Sequence, residues 1–146
     1  MSCYLTHSTE ETEALGARLA QGLRARMVIG LVGELGAGKT SFVRGIAKGL
    51  GVAEDMYVSS PTFVITKVYP GALTLYHVDL YRINSPEDVE YLAVSDYVDD
   101  GVVVIEWADK FQELLPSGAE MIYFRVVSED VREIEIPDTL LRRGSI

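Results

Sequence analysis

An α/β fold, with a mixed, mostly parallel central sheet flanked by helices, is what this sequence predicts, and three observations predict it. A short apolar run, Met27-Val28-Ile29-Gly30-Leu31-Val32, leads into a glycine-rich turn and then a helical pattern, the order of strand, ligand-binding loop and helix. Val102-Val103-Val104-Ile105 is an unbroken β-branched run of the kind buried on both faces of a parallel sheet. Strand-like and helix-like segments alternate around these two over 146 residues, a length that suits one domain, 1–146, with a core of its own.

The elements follow from local patterns. Ser8 or Thr9, then Glu11, Thr12 and a periodic Leu15, Leu19 and Leu23, reads as an N-capped helix over 9–25, with acids in its first turn and Arg18, Arg24 and Arg26 toward its end. The strand at Met27 comes next. Beyond the loop, Phe42, Val43, Ile46, Ala47 and Leu50 share one face of a helix that starts at Lys39 and stops at Gly51. Ser59-Ser60-Pro61-Thr62 is a polar turn feeding a β-branched and aromatic strand over 63–69, and Pro70-Gly71 turns the chain into a second strand over 73–80, so that the two form a β-hairpin. Ser85 as N-cap and Pro86 at the first helical position predict a short helix over 87–94. A helix over 108–115, closed by Pro116 and Gly118, strands over 120–127 and 133–136, and a basic, frayed tail over 140–146 complete the chain.

Composition narrows the function classes. With 48% apolar and 24% charged residues the chain is globular, no window approaches the apolar length of a membrane span, and Met1 to Glu13 lacks the basic and apolar regions of a secretion signal. The expectation is a cytoplasmic protein. Cys3 is the only cysteine, which excludes an internal disulfide and leaves an incidental thiol. A net charge of −9 disfavours direct nucleic-acid binding, because that affinity comes from Lys and Arg neutralising phosphates. Any service to nucleic-acid chemistry then runs through a partner protein; acidity that only maintains solubility is the other reading.

The glycine-rich turn is Gly33-Glu34-Leu35-Gly36-Ala37-Gly38-Lys39-Thr40, the Walker A spacing of a phosphate loop; a glycine-rich turn that happens to match is the alternative. Gly33, Gly36 and Gly38 permit positive φ and let main-chain N–H groups converge on phosphate oxygens. The following helix adds its unpaired N–H groups. Lys39 reaches phosphates as a point charge, and the Thr40 hydroxyl suits Mg²⁺. A nucleotide hydrolase also needs an acid at a buried strand end. Two are on offer, Asp79 after Tyr76-His77-Val78 and Glu106 after the valine run; for each, a surface carboxylate at a strand terminus is the alternative.

The ordered set of this loop, Ser60-Pro61-Thr62-Phe63, His77-Val78-Asp79-Leu80-Tyr81-Arg82 and Glu106-Trp107 resembles the TsaE (YjeE) family, bacterial ATPases needed to make threonylcarbamoyladenosine on tRNA. The likeness spans nearly the whole chain. It implies a P-loop NTPase-like α/β fold, ATP with Mg²⁺, weak intrinsic hydrolysis, and action with TsaB and TsaD partners, with tRNA met only indirectly and no membrane involved. It also implies that Thr40 and Glu106 hold Mg²⁺, that Lys39 binds phosphate, that Asp79 holds a metal-bound or attacking water, and that Thr62 lies in a switch-like segment near the γ-phosphate. Loop residues 33–41, including Leu35, Ala37 and Ser41, are implied to cradle the phosphates. Thr9, Thr12 and Arg132 are implied near the base. Ser41 departs from the second threonine that family members often show.

Three neighbours of these motifs stay open between two roles. His77 is either a satisfied core histidine or part of the site, Arg82 either stabilises charge or faces structure or a partner, and Trp107, following a buried strand, either packs in the core or stacks on a ligand. A small-molecule kinase on the same fold, or a nucleotide-binding regulatory module with little turnover, are the competing functions. Against the kinase stand only 13 basic residues and no arginine-dense insertion.

Overall fold

A computed structural model describes residues 1–54, 56, 58, 66–85, 99–116 and 118–141. The turn and strand start at 59–65, with Thr62, and the whole of the expected helix over 87–94 lie outside the described residues, as do the last five residues of the tail.

Among the described residues seven strands make one sheet. In chain order they are β1 (Ser2–Thr6), β2 (Val28–Val32), β3 (Thr66–Tyr69), β4 (Thr74–Asp79), β5 (Gly101–Glu106), β6 (Glu120–Val126) and β7 (Arg132–Ile136), and across the sheet they run β1-β7-β6-β2-β5-β4-β3. β6, β2, β5 and β4 pair in parallel. The edges are antiparallel, with β3 on β4 at one side and β7 on β6 and β1 on β7 at the other. The mixed, mostly parallel sheet and the hairpin are therefore present. The strand β1 was not expected from sequence. It has no β-branched run, and its partners, from Arg132 to Ile136, lie at the far end of the chain.

Among the described residues two helices cover one face, α1 (Thr9–Ala20) and α2 (Lys39–Gly49). Ser8 caps α1, its hydroxyl accepting from the Glu11 N–H at 3.1 Å, while the Glu11 carboxylate accepts from the His7 N–H at 3.0 Å. α1 ends at Ala20, short of the expected 25, because the chain turns through Gln21 and Gly22; Leu23, which extended the helical pattern, is buried from that turn. α2 ends at Gly49 and leaves through Gly51 at φ +79. The two helices touch through small residues. A Cβ on Gly45 would sit 1.9 Å from the Glu13 carbonyl oxygen, so only glycine allows α2 to lie this close to α1.

Strand periodicity of two divides the core. Ile29, Leu31, Val102, Val104 and Leu75 face α1 and α2, where they meet Leu15, Leu19, Phe42 and Ile46. Val28, Val103, Ile105 and Val78 face the other way, toward Leu80, Ile83 and Ala108. Each such fully buried side chain contributes roughly 1.5–3 kcal/mol. The Phe42 and Phe124 rings meet edge to face at 5.3 Å and seat α2 on β6. The segment Ala108–Leu114 is a 3₁₀ helix broken at Phe111 (φ −138°), not a regular α-helix. Residues 138–141 form one helical turn, α3 (Asp138–Leu141), with Leu140 buried; the expected tail is thus anchored at its start by an apolar contact.

Candidate functional site

The C-terminal ends of β2, β4 and β5 and the start of α2 surround a cleft of about 440 Å³. The loop between β2 and α2 forms one wall. Gly36 (φ +80) and Gly38 (φ +99) take left-handed angles, which lets the chain turn sharply into α2. Gly33 does not, contrary to expectation. What Gly33 provides is space: a Cβ there would come within 2.9 Å of Phe124. Since Gly38 supplies no side-chain cap, the first N–H groups of α2 stay available at the cleft, where they and the helix dipole favour an anion. Leu35, at the tip, is 80% exposed.

The alternation that sends Leu75 and Val104 toward α2 sends His77, Asp79 and Glu106 the same way. Asp79 and Glu106 stand in register on neighbouring parallel strands, side by side at the sheet's carboxyl edge. The Thr40 hydroxyl donates to the Glu106 carboxylate, 3.3 Å from Oε1 and 3.2 Å from Oε2. On its other side Glu106 meets His77, whose Nε2 lies 2.6 Å from Oε2 in a fully buried contact. A carboxylate only accepts, so Nε2 is assigned as the donor to Glu106; Nδ1 has no hydrogen-bond partner among the described residues. His77 is thus a core residue that also holds a cleft carboxylate. Asp79 Oδ1 accepts from the Tyr81 N–H at 2.8 Å. Burial raises the Asp79 carboxyl above its ordinary value and the charge of Glu106 adds to the rise, against the opposing Tyr81 hydrogen bond.

Lys39 is buried, only 4% exposed, and its ammonium donates to the carbonyl oxygens of Gly33 and, at 3.4 Å, Glu34. The ring of Trp107 covers it, with Nζ 3.6 Å from the ring centroid. Burial lowers the Lys39 pKa, opposed by the nearby carboxylates of Glu106 and Asp79. Trp107 packs against the second core cluster and also lines the cleft, so both of its open roles apply to one ring. Tyr81 leans on it at 5.0 Å, and Arg82 lines the same mouth.

The far end of the cleft joins elements that are remote in sequence. Thr9 and Thr12 come from α1 and Arg132 from β7. Arg132 Nε donates to the Gly36 carbonyl at 3.2 Å, and its guanidinium also reaches the carbonyls of Ser128 (2.8 Å) and Glu129 (3.0 Å). It thereby ties the loop to the β6–β7 turn. Thr12 is buried, its hydroxyl 2.7 Å from that of Thr6. Ser41, Ala37 and Leu35 line the cleft as well. Sequence reasoning missed Ser8, Glu129 and Asp130, which also border it; a surface turn carries no pattern that reveals what it folds against.

This arrangement has known relatives. A sequence profile described as threonylcarbamoyl adenosine biosynthesis protein TsaE matches residues 6–135. A tRNA threonylcarbamoyladenosine biosynthesis protein TsaE from Treponema pallidum is 40% identical over 137 residues, covering 93% of this chain and 99% of that one. Its namesake from Bacillus subtilis is 40% identical over 131 residues, 88% of this chain and 80% of that one. Among solved structures, Bacillus subtilis YdiB superposes with a TM-score of 0.76 at 32% identity, covering 97% of this chain and 89% of that one. With a profile running through most of its length and relatives aligned nearly end to end, the chain belongs to the TsaE family of threonylcarbamoyl adenosine biosynthesis proteins.

Proposed function

We propose that the chain, acting as one domain over 1–146, is a Mg²⁺-dependent ATPase subunit that supports threonylcarbamoyl transfer to tRNA adenosine in the cytoplasm through TsaB and TsaD partners. The observation that carries the reading is the convergence at one sheet edge of a phosphate loop, its buried lysine, and the Thr40 hydroxyl held against Glu106 beside Asp79. The names of the relatives supply the pathway.

The donor set fits Mg²⁺. A hydroxyl and a carboxylate that already touch, with a second carboxylate alongside, are the hard oxygen ligands this ion takes when phosphates and water complete its shell. Thr40 and Glu106 would hold it, and when bound it neutralises charge on the phosphates. The remaining work falls to the chain. Loop N–H groups from Gly36 to Ser41 and the α2 terminus bind the phosphates, and Lys39 adds a positive charge. His77 keeps Glu106 aimed at the cleft. Asp79 orients the attacking water by accepting its hydrogen bond, Thr62 contributes from the switch-like segment, and Thr9 and Arg132 flank the base. Because catalysis of this kind is mainly positioning and charge stabilisation, a partner that adds to either would raise turnover above the slow rate of the chain alone.

The test is a calorimetric titration with ATP and Mg²⁺ followed by hydrolysis assays with and without TsaB and TsaD. Binding should be lost or weakened by about 10- to 100-fold in Lys39→Ala, the range for a charge-assisted phosphate contact, and turnover should rise with the partners. Full turnover alone and none added by the partners would count against the proposal.

A further inference from the structure

We propose that Trp107 is the positioning residue for Lys39, holding its ammonium at the loop by a cation–π contact so that the charge stays free for phosphate. The inference deepens the reading of the loop as a triphosphate site and rests on it.

Lys39 faces two competing attractions. Asp79 and Glu106 act on its charge, and a lysine on a flexible four-carbon stem beside two carboxylates would be expected to pair with one of them. Such a pair would neutralise the ammonium and cover the Glu106 oxygens that face Thr40. The chain instead sets the ammonium on the Gly33 and Glu34 carbonyls with the indole face 3.6 Å away. A ring attracts a cation without cancelling its charge, and carbonyls do likewise. The positive charge therefore remains available to a phosphate.

The backbone is arranged to deliver that ring. Trp107 takes φ +59 and ψ +37 directly after β5, a left-handed conformation that is uncommon for a bulky residue. The reversal turns the indole back over the loop instead of letting the chain continue past it. Tyr81, from the end of the neighbouring strand, leans on the indole at 5.0 Å and 44°. Apolar residues of the second core cluster support it from below. Backbone strain held in place by packing on two sides marks a position whose side-chain placement is used.

The protein contains one tryptophan, so its indole emission comes from this ring alone. In nucleotide-free protein, Lys39→Met should shift the emission maximum and change its intensity relative to wild type, because the cation leaves the ring. In ATP titrations by calorimetry, Trp107→Phe, which keeps an aromatic face, should bind within about 2-fold of wild type, whereas Trp107→Leu should bind about 5- to 10-fold more weakly, the loss expected for a cation–π contact that is partly desolvated. In the Lys39→Met background the Leu substitution should add no further loss, a coupling that a purely structural tryptophan would not produce. Unchanged emission in Lys39→Met, equal binding by the Phe and Leu variants, or additive losses would each overturn the proposal. The emission comparison needs neither nucleotide nor a folded Leu variant. Failure of wild type to bind ATP would therefore overturn the triphosphate reading while the emission result still decides the contact.

Discussion

At the scale of single residues, Glu106 is engaged from two sides of the site, by Thr40 on one and His77 on the other. Its two engagements can be separated. Glu106→Ala strips the buried His77 Nε2–H of its acceptor, and a buried donor left unsatisfied costs about 1–3 kcal/mol; Glu106→Gln keeps a carbonyl there and should cost distinctly less. Urea denaturation of the two variants checks the difference, while Mg²⁺-dependent hydrolysis should be lost in both. Asp79 makes the opposite case. Its carboxyl titrates above the ordinary value of 3.8, first because it is buried and then because Glu106 is near. Its ionised form therefore weakens the nucleotide-free fold: the stability present below 3.8 is lost as pH rises through the raised value. Asp79→Asn should raise the melting temperature at pH 7 and flatten its fall between acid and neutral pH. Equal melting temperatures for variant and wild type at pH 7 would contradict the burial argument. Sequence showed both acids at strand ends, but not which of them bonds Thr40. That depends on the register of β4 against β5 and on where α2 sits.

At the scale of elements, the close approach of α1 and α2 keeps Thr9 and Thr12 beside the loop. Gly45→Ala would drive a Cβ to 1.9 Å from the Glu13 carbonyl, and relieving that by separating the helices should cost about 1–3 kcal/mol, read as a lower midpoint in thermal or urea unfolding. ATP affinity should fall with it, since the α1 wall of the cleft moves. The helices, the central strands and the hairpin were readable because their signals are local: caps within three residues, apolar faces every three or four, alternation every two. The elements misjudged were those whose ends are set from afar. α1 stops at Ala20 although its leucine pattern continues to Leu23, because Leu23 finds its burial from a turn. The 3₁₀ segment after Trp107 has helical composition but starts from a left-handed residue and breaks at Phe111.

At the scale of the whole molecule, a net charge of −9 sets what the surface attracts. A filter-binding titration of the purified chain with tRNA should show little association near physiological salt; tight binding that weakens steeply with added salt would reverse that expectation. No helix among the described residues is long and apolar enough to cross a membrane. The sequence by itself determined the phosphate loop, the order of most elements, the parallel core of the sheet and the two candidate acids, because each is written in residues close together along the chain. Only the tertiary structure decided that β1 closes the sheet against β7, that Arg132 fastens the loop to the β6–β7 turn, that His77 and Thr40 share Glu106, and that Trp107 covers Lys39. Those contacts join residues far apart in sequence, and no local pattern encodes them: they exist only once burial of the common core has offset the entropy of closing the loops between them.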